Sequence, residues 1–260
     1  MGQYLPCFKA YDVRGIVPTE LNEQIAYDIG RAYASQEKPR SVCVGYDIRL
    51  SGPGLGRALA DGLNHGGCEV IDLGLVGTEM VYFATAKYDY DGGIMITASH
   101  NPPEYNGMKM VRKGSRPISG DSGLGDIERR AFEKDFGPQG TGSVRSQDVY
   151  ADFVQHLLTF ADAGSLKPLK ILASAGNGAA GVDMNALMPH LPLQIEPMMF
   201  EPDGNFPNGV PNPILPESRA SAERKLAGGG YDFGVAWDGD YDRCFFLDEH
   251  GNFIEGYYIV

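Results

Sequence analysis

The 260 residues hold little positive charge, few cysteines, a single tryptophan and no long apolar run. Lys and Arg number 22 against 34 Asp and Glu, a formal net charge of -12. So few spare cations suit neither a phosphate backbone nor an anionic lipid surface, which argues against nucleic acid and membrane as partners. The four cysteines, Cys7, Cys43, Cys68 and Cys244, include no CxxC pair, which argues against a zinc ribbon or a redox dithiol. Reduced, mostly buried thiols point instead to a cytoplasmic protein. No N-x-S/T sequon occurs, and MGQYLPCFKAYDVRG has no apolar core of the kind a signal peptide needs. No internal repeat is visible.

What is present is globular. Hydrophobic residues make up 43% and aromatics 10%, enough to bury a core. At roughly 150 residues per domain, one or two domains are expected. The 35 glycines therefore belong to turns and loops. Helix and strand signals alternate. Thr19 stands as an N-cap before Leu21, Ile25, Ile29, Ala32 and Tyr33 at helical spacing. SVCVGY, EVIDLG and GGIMITA read as strands; LGRALADGLNH and EMVYFATAKY read as the helices between them. This rhythm predicts an α/β fold. Gly137 to Asp148 is polar, Gly-rich and without period, and reads as a domain boundary. Beyond it, Val149, Phe153, Leu157 and Phe160 mark one helical face. LKILASA and DFGVAW read as strands, ESRASAERKLAGGG as a helix, and CFFLDEHGNFIEG as a hairpin. The expected organisation is two consecutive domains, 1–140 and 148–256, each a mixed sheet covered by helices. The uncapped apolar ending GYYIV reads as the truncated start of a third domain at 257–260.

Several segments carry chemistry. TASHNPPEYNGMK places Ser99 and His100 at the C-terminal end of a strand, where open α/β sheets bind ligands. With Asn101-Pro102-Pro103 and Asn106-Gly107 read as two turns, Ser99, His100 and Lys109 share one folded loop. They could supply a nucleophile, a proton acceptor and a phosphate-binding cation, or they could be an ordinary polar loop. WDGDYDR spaces Asp238, Asp240 and Asp242 at alternate positions after a buried strand. Three such carboxylates need a cation or several donors, and oxygen-only ligands indicate Mg²⁺ or Ca²⁺. Arg243 stands where an EF-hand requires glycine, so that motif is rejected. A plain turn paired with Arg243 is the alternative. GNGAAG, Gly176 to Gly181, has the spacing of a dinucleotide loop, with Glu196 twenty residues on; a close-packed strand-to-helix turn is the other reading. AYDVRG sets Arg14 two residues from Asp12, by itself no more than a surface ion pair. EPDGNFPNGVPNP is punctuated as an ordered loop.

Taken together, FKAYDVRG, TASHNPPEYNGMK, ASAGNGAAG, PDGNFPNGVPNP and DGDYDR resemble, in order, the motifs of the α-D-phosphohexomutase family, in particular its bacterial phosphomannomutase and phosphoglucomutase members. The resemblance implies a Mg²⁺-dependent isomerase that interconverts hexose 1-phosphates and 6-phosphates through a phosphoserine and a hexose 1,6-bisphosphate. It implies that Ser99 carries the phosphoryl group, and that Asp238, Asp240 and Asp242, with the phosphoserine oxygen, hold the metal. Arg14, His100 and Lys109 resemble active-site residues, the last two as proton carriers. Tyr11, Arg14 and Arg243 resemble substrate contacts. GNGAAG becomes a packing turn, which weakens the dinucleotide reading; the rival functions are an NAD-linked oxidoreductase built on GNGAAG and a non-catalytic metal-binding module. The chain resembles only two of the family's four domains; the sugar-recognition and C-terminal phosphate-clamping motifs have no counterpart in it. The chain alone is therefore expected to be weakly active or inactive. Mannose or glucose preference and oligomeric state are not legible.

Overall fold

A computed structural model describes residues 5–259, which fall into two compact units divided between Val149 and Tyr150. In the first unit the strands are β1 (Val13–Ile16), β2 (Ser41–Tyr46), β3 (Glu69–Leu75), β4 (Gly92–Ile96), β5 (Tyr105–Arg112), β6 (Arg116–Pro117) and β7 (Ser143–Ser146). Its helices are α1 (Glu23–Glu37), α2 (Gly52–His65), α3 (Thr78–Lys87) and α4 (Leu124–Glu133). The sheet order is β1-β5-β4-β2-β3-β7, with β6 on β5. The pairs β4-β2, β2-β3 and β3-β7 are parallel, and β5 runs antiparallel to β1, β4 and β6. β4 lies mid-sheet and is buried throughout, so its sequence GGIMI shows no polar alternation. The core gathers Leu21, Ile29, Leu55, Leu59, Leu63, Ile94, Ile96 and Met108.

The second unit holds α5 (Tyr150–Leu157), β8 (Lys170–Ser174), α6 (Ala180–Leu187), β9 (Gln194–Met198), α7 (Pro216–Ala227), β10 (Phe233–Trp237), β11 (Cys244–Leu247) and β12 (Phe253–Ile254). Its sheet order is β12-β11-β10-β8-β9; β10-β8 and β8-β9 are parallel and the two hairpin pairs antiparallel. Alternation sorts the strands onto two cores. Ile171, Ala173 and Val235 pack with Ala180 of α6; Leu172, Ala236 and Leu247 pack with Ala222 and Leu226 of α7. Both units are thus mixed sheets with helices, as the sequence predicts. Among the described residues no helix is long and apolar enough to cross a membrane.

Four local expectations are corrected. Thr19 is not the cap of α1; Asn22 is, its side chain accepting from the Ile25 amide at 3.0 Å. Thr19 lies in a turn closed by the Glu20 and Leu21 amides on the Ile16 carbonyl. Within the polar stretch 137–148, β7 pairs in parallel with β3. It is four exposed residues long, so no buried face marks it in the sequence. Phe160 does not extend the face of α5 and is 73% exposed; the helix ends at Leu157, where the Thr159 hydroxyl donates to the His156 carbonyl. Asn106-Gly107 is not a turn but part of β5. Its glycine answers a close approach: a Cβ on Gly107 would lie 2.0 Å from the Val13 carbonyl oxygen of β1.

Candidate active site and metal centre

In the first unit, Thr97, Ala98 and Ser99 follow the C-terminal end of the central strand β4. Ser99 is buried and takes a left-handed backbone, φ 50°. Its amide donates to the Thr97 hydroxyl at 2.8 Å, and that hydroxyl donates to the Asp47 carboxylate at 2.6 Å. This unusual backbone has a chemical result. Neighbouring Ser and His side chains seldom meet, yet here Ser99 Oγ stands 3.1 Å from His100 Nδ1. A hydroxyl with a ring nitrogen at that distance can act as a nucleophile with an acceptor for its proton, in the tautomer that leaves Nδ1 unprotonated.

Arg14 comes to this loop from β1. Its Nη1 donates to the Asn101 side-chain oxygen at 2.7 Å, and its Nη2 to Asp12 at 2.6 Å. The Asp12–Arg14 pair expected from sequence therefore exists, but it also aims the guanidinium at the serine loop. Lys109 does not share that loop. It lies in β5 opposite Met95, and its ammonium donates to the Thr78 hydroxyl at the start of α3, 3.4 Å away. Tyr11 is 78% exposed.

In the second unit, β10 ends at Trp237 and the chain turns through Asp238 to Arg243. The turn is made by the Tyr241 amide donating to the Asp238 carbonyl, with Tyr241 at φ 49°. Asp238 and Asp240 are fully buried and Asp242 is exposed; one carboxylate oxygen of each lies within 4.8 Å of the others. Arg243 pairs with Asp238, Nε donating at 2.9 Å and Nη2 at 2.5 Å to the same oxygen. The arginine thus neutralises part of the cluster, as the plain-turn reading expects. The group can still hold a metal: its donors are all hard oxygens, and one arginine does not balance three carboxylates.

GNGAAG supports this turn from below. The Ala179 amide donates to the Gly239 carbonyl at 3.1 Å, between the first two aspartates. A Cβ on Gly178 would lie 3.0 Å from that same oxygen, so a larger residue there would make the turn give by a few tenths of an ångström. Asn177 ties in the 201–213 loop, donating to the Glu201 carbonyl at 2.8 Å and accepting from Asn208 at 2.8 Å. Glu196 pairs with Lys225 and accepts from the Tyr231 hydroxyl at 2.6 Å. Every one of these partners belongs to the packing of the second unit. Burial beside the turn pushes the Asp183 carboxyl of α6 up to about 6, against a smaller lowering by the Tyr241 hydroxyl.

Sequence reasoning passed over Asp47, Arg49 and Asn177. The first two follow directly on the buried strand SVCVGY, the same signal that picks out Ser99. In sequence, an Asp and an Arg two apart look no different from a surface ion pair.

The first unit thus carries a serine loop at the C-terminal end of its sheet, and the second carries a carboxylate turn at the end of its own. Residues 6–138 match the model of phosphoglucomutase/phosphomannomutase α/β/α domain I, and residues 148–251 match that of domain II. The chain belongs to the phosphoglucomutase/phosphomannomutase family. It is 52% identical over 258 residues to a protein named phosphohexose mutases from Xanthomonas campestris, covering 98% of this chain and 57% of that one. It is 50% identical over 264 residues to a phosphomannomutase of Salmonella typhimurium, covering 98% and 58%. A crystal structure of a phosphoglucomutase/phosphomannomutase family protein from Burkholderia thailandensis superposes with a TM-score of 0.89 at 36% identity, over 98% of this chain and 57% of that one. The chain thus spans little more than half the length of these relatives.

Proposed function

We propose that this chain is the phosphoryl-accepting and cation-holding portion of a phosphomannomutase, or of a bifunctional phosphomannomutase/phosphoglucomutase. The observation that carries this reading is the Ser99 hydroxyl presented to His100 Nδ1 in a buried, backbone-locked loop. The substrates are hexose 1- and 6-phosphates, of mannose or glucose, with a hexose 1,6-bisphosphate as intermediate. Four free thiols, three of them buried, agree with work in the cytoplasm.

In the forward step Ser99 Oγ attacks a phosphorus of the bisphosphate. The P–O bond to the sugar breaks, the sugar oxygen leaves with its electron pair and is protonated by Lys109, and His100 Nδ1 takes the serine hydroxyl proton. In the return step a hydroxyl of the sugar monophosphate attacks the phosphoserine, and Lys109 or His100 takes its proton. Arg14, held by Asp12 and Asn101, binds a phosphate of the substrate. Tyr11 and Arg243 contact the sugar phosphate. Asp238, Asp240 and Asp242 would hold Mg²⁺. When bound, the ion supplies charge neutralisation and polarises the transferring phosphoryl group.

The test is incubation of the chain with hexose 1,6-bisphosphate and Mg²⁺, read by intact mass and phosphopeptide mapping. One phosphate on Ser99 is expected, and none in Ser99→Ala. Phosphate on Ser51 or Ser119 instead would overturn the assignment. Divalent-cation binding with Ser99 never phosphorylated would make the chain a metal-binding module.

A further inference from the structure

Arg49 is among the largest fully buried side chains of the molecule, with no exposure at all, and nothing in the proposed chemistry uses it. Its surroundings are specific. Nη1 donates to the carbonyls of Pro102 at 2.7 Å and Tyr105 at 2.8 Å. Nη2 donates to the carbonyls of Ser99 at 2.9 Å and Asn101 at 2.6 Å. A terminal guanidinium nitrogen has two hydrogens, so both are fully engaged by these four carbonyls. Nε lies 3.5 Å from Asp47 Oδ2, and the Arg49 amide donates to Asp47 Oδ1 at 3.0 Å. One buried cation and one buried anion thus close on each other, as burial requires.

The same Asp47 accepts from the Thr97 hydroxyl, which accepts from the Ser99 amide. Ser99 is therefore held at both backbone ends: its amide through Thr97 and Asp47, its carbonyl by Arg49. The loop from 99 to 104 has no regular ladder to fix it, and Ser99 sits at a positive φ that a non-glycine residue adopts at a cost. Something must over-determine that conformation, and the Asp47–Arg49–Thr97 clamp does so.

We infer that Arg49, with Asp47 and Thr97, is a positioning device that sets the Ser99 hydroxyl against His100 and in line for phosphoryl transfer. Arg49 does not bind substrate phosphate, because both its terminal nitrogens are directed at carbonyl oxygens. Lysine cannot replace it: a single ammonium has three donors at one point, whereas the four carbonyls sit around two separate nitrogens. The inference rests on Ser99 being the phosphoryl acceptor, but the clamp itself can be tested apart from that reading.

The experiment uses the full chain and two kinds of variant. Arg49→Lys keeps the charge; Thr97→Val deletes the hydroxyl, and Thr97→Ser restores it with little disturbance to folding. The rate of Ser99 phosphorylation is followed against bisphosphate concentration at fixed Mg²⁺, normalised to folded protein. The plateau rate should fall on the order of 10²-fold in Arg49→Lys and in Thr97→Val. The half-saturating concentration should stay within about twofold, and Thr97→Ser should recover most of the rate. In parallel, hydrogen exchange is read at the amides of Ser99, Asn101 and Tyr105. These should lose protection in both damaging variants while the amides of β2 and β4 keep theirs.

Unchanged plateau rates per folded molecule with unchanged loop exchange would overturn the inference, as would Thr97→Ser behaving like Thr97→Val. If Arg49→Lys does not fold, the threonine pair decides alone. A wild-type chain that takes no phosphate would defeat the proposed function; the exchange measurement would still decide whether the clamp orders the loop.

Discussion

At the scale of single residues, the carboxylates make the sharpest claims. Asp238 and Asp240 are fully buried within reach of exposed Asp242, so each matters to a bound cation in a way no surface acid would. Asp240→Asn should weaken Mg²⁺ binding by at least tenfold, measured by calorimetry with the phosphorylation state of Ser99 held constant. An unchanged affinity would move the site elsewhere. Asp183 behaves differently, because burial holds its carboxyl at about 6 against an ordinary 3.8. Between those values the folded chain binds more protons than the unfolded one. Stability therefore falls as pH rises from about 4 to about 6, by on the order of 3 kcal/mol, and levels off above. Asp183→Asn should abolish that slope and raise stability near pH 8 by about 1–3 kcal/mol. Urea unfolding without added metal reads this directly, since Trp237, the one tryptophan, lies in the same unit. A wild-type curve that rises across the window would contradict the burial argument.

Among elements, strand ends and glycine turns do the positioning. Every proposed group except Lys109 and Arg14 stands just beyond a strand or in a turn; those two lie within β5 and β1. Ser-His adjacency, uninformative as a dipeptide, becomes informative once the Ser99 backbone turns left-handed at the end of β4. The glycine turn before α6 matters through the Gly239 carbonyl. Gly178→Ala would set a methyl 3.0 Å from that oxygen and 3.1 Å from the Ala175 carbonyl. The overpacking should cost about 1–3 kcal/mol in stability. By loosening the bond from Ala179, it should also weaken Mg²⁺ binding severalfold in a Trp237 fluorescence titration. Loss of stability with full affinity would show that the turn packs the unit without shaping the aspartate loop.

For the whole molecule, chemical groups and turnover part company. The chain holds the groups proposed for both phosphoryl transfers, yet it spans 57% of the relatives it resembles. An interchange of phosphates needs the bisphosphate to stay gripped while it reorients, and this chain spans little more than half of the length of its relatives. Positioning is worth roughly 7–11 kcal/mol in effective molarity, so losing part of it removes decades of rate. We expect this 260-residue chain to accept phosphate on Ser99 yet turn over far below the ~10 s⁻¹ of ordinary enzymes. A coupled assay with mannose 1-phosphate or glucose 1-phosphate and the bisphosphate activator measures it. Turnover at the ordinary level would show that these two units suffice.

The linear sequence by itself determined the α/β alternation, the position of Ser99 and His100 at a strand end, and the spacing of the three aspartates. Those features are local: apolar period, turn residues and carboxylate spacing are written within a dozen residues. Tertiary structure alone decided that Asn106-Gly107 runs straight as strand, which takes Lys109 out of the serine loop. It also decided that β7 joins a sheet, and that Arg14 reaches Asn101 from 87 positions away. It revealed Arg49 as a buried clamp where the sequence shows an ordinary Asp-x-Arg. The physical reason is common to all four. Whether a polar residue faces water or a ring of carbonyls depends on which distant backbone passes beside it, and no neighbour in the sequence records that.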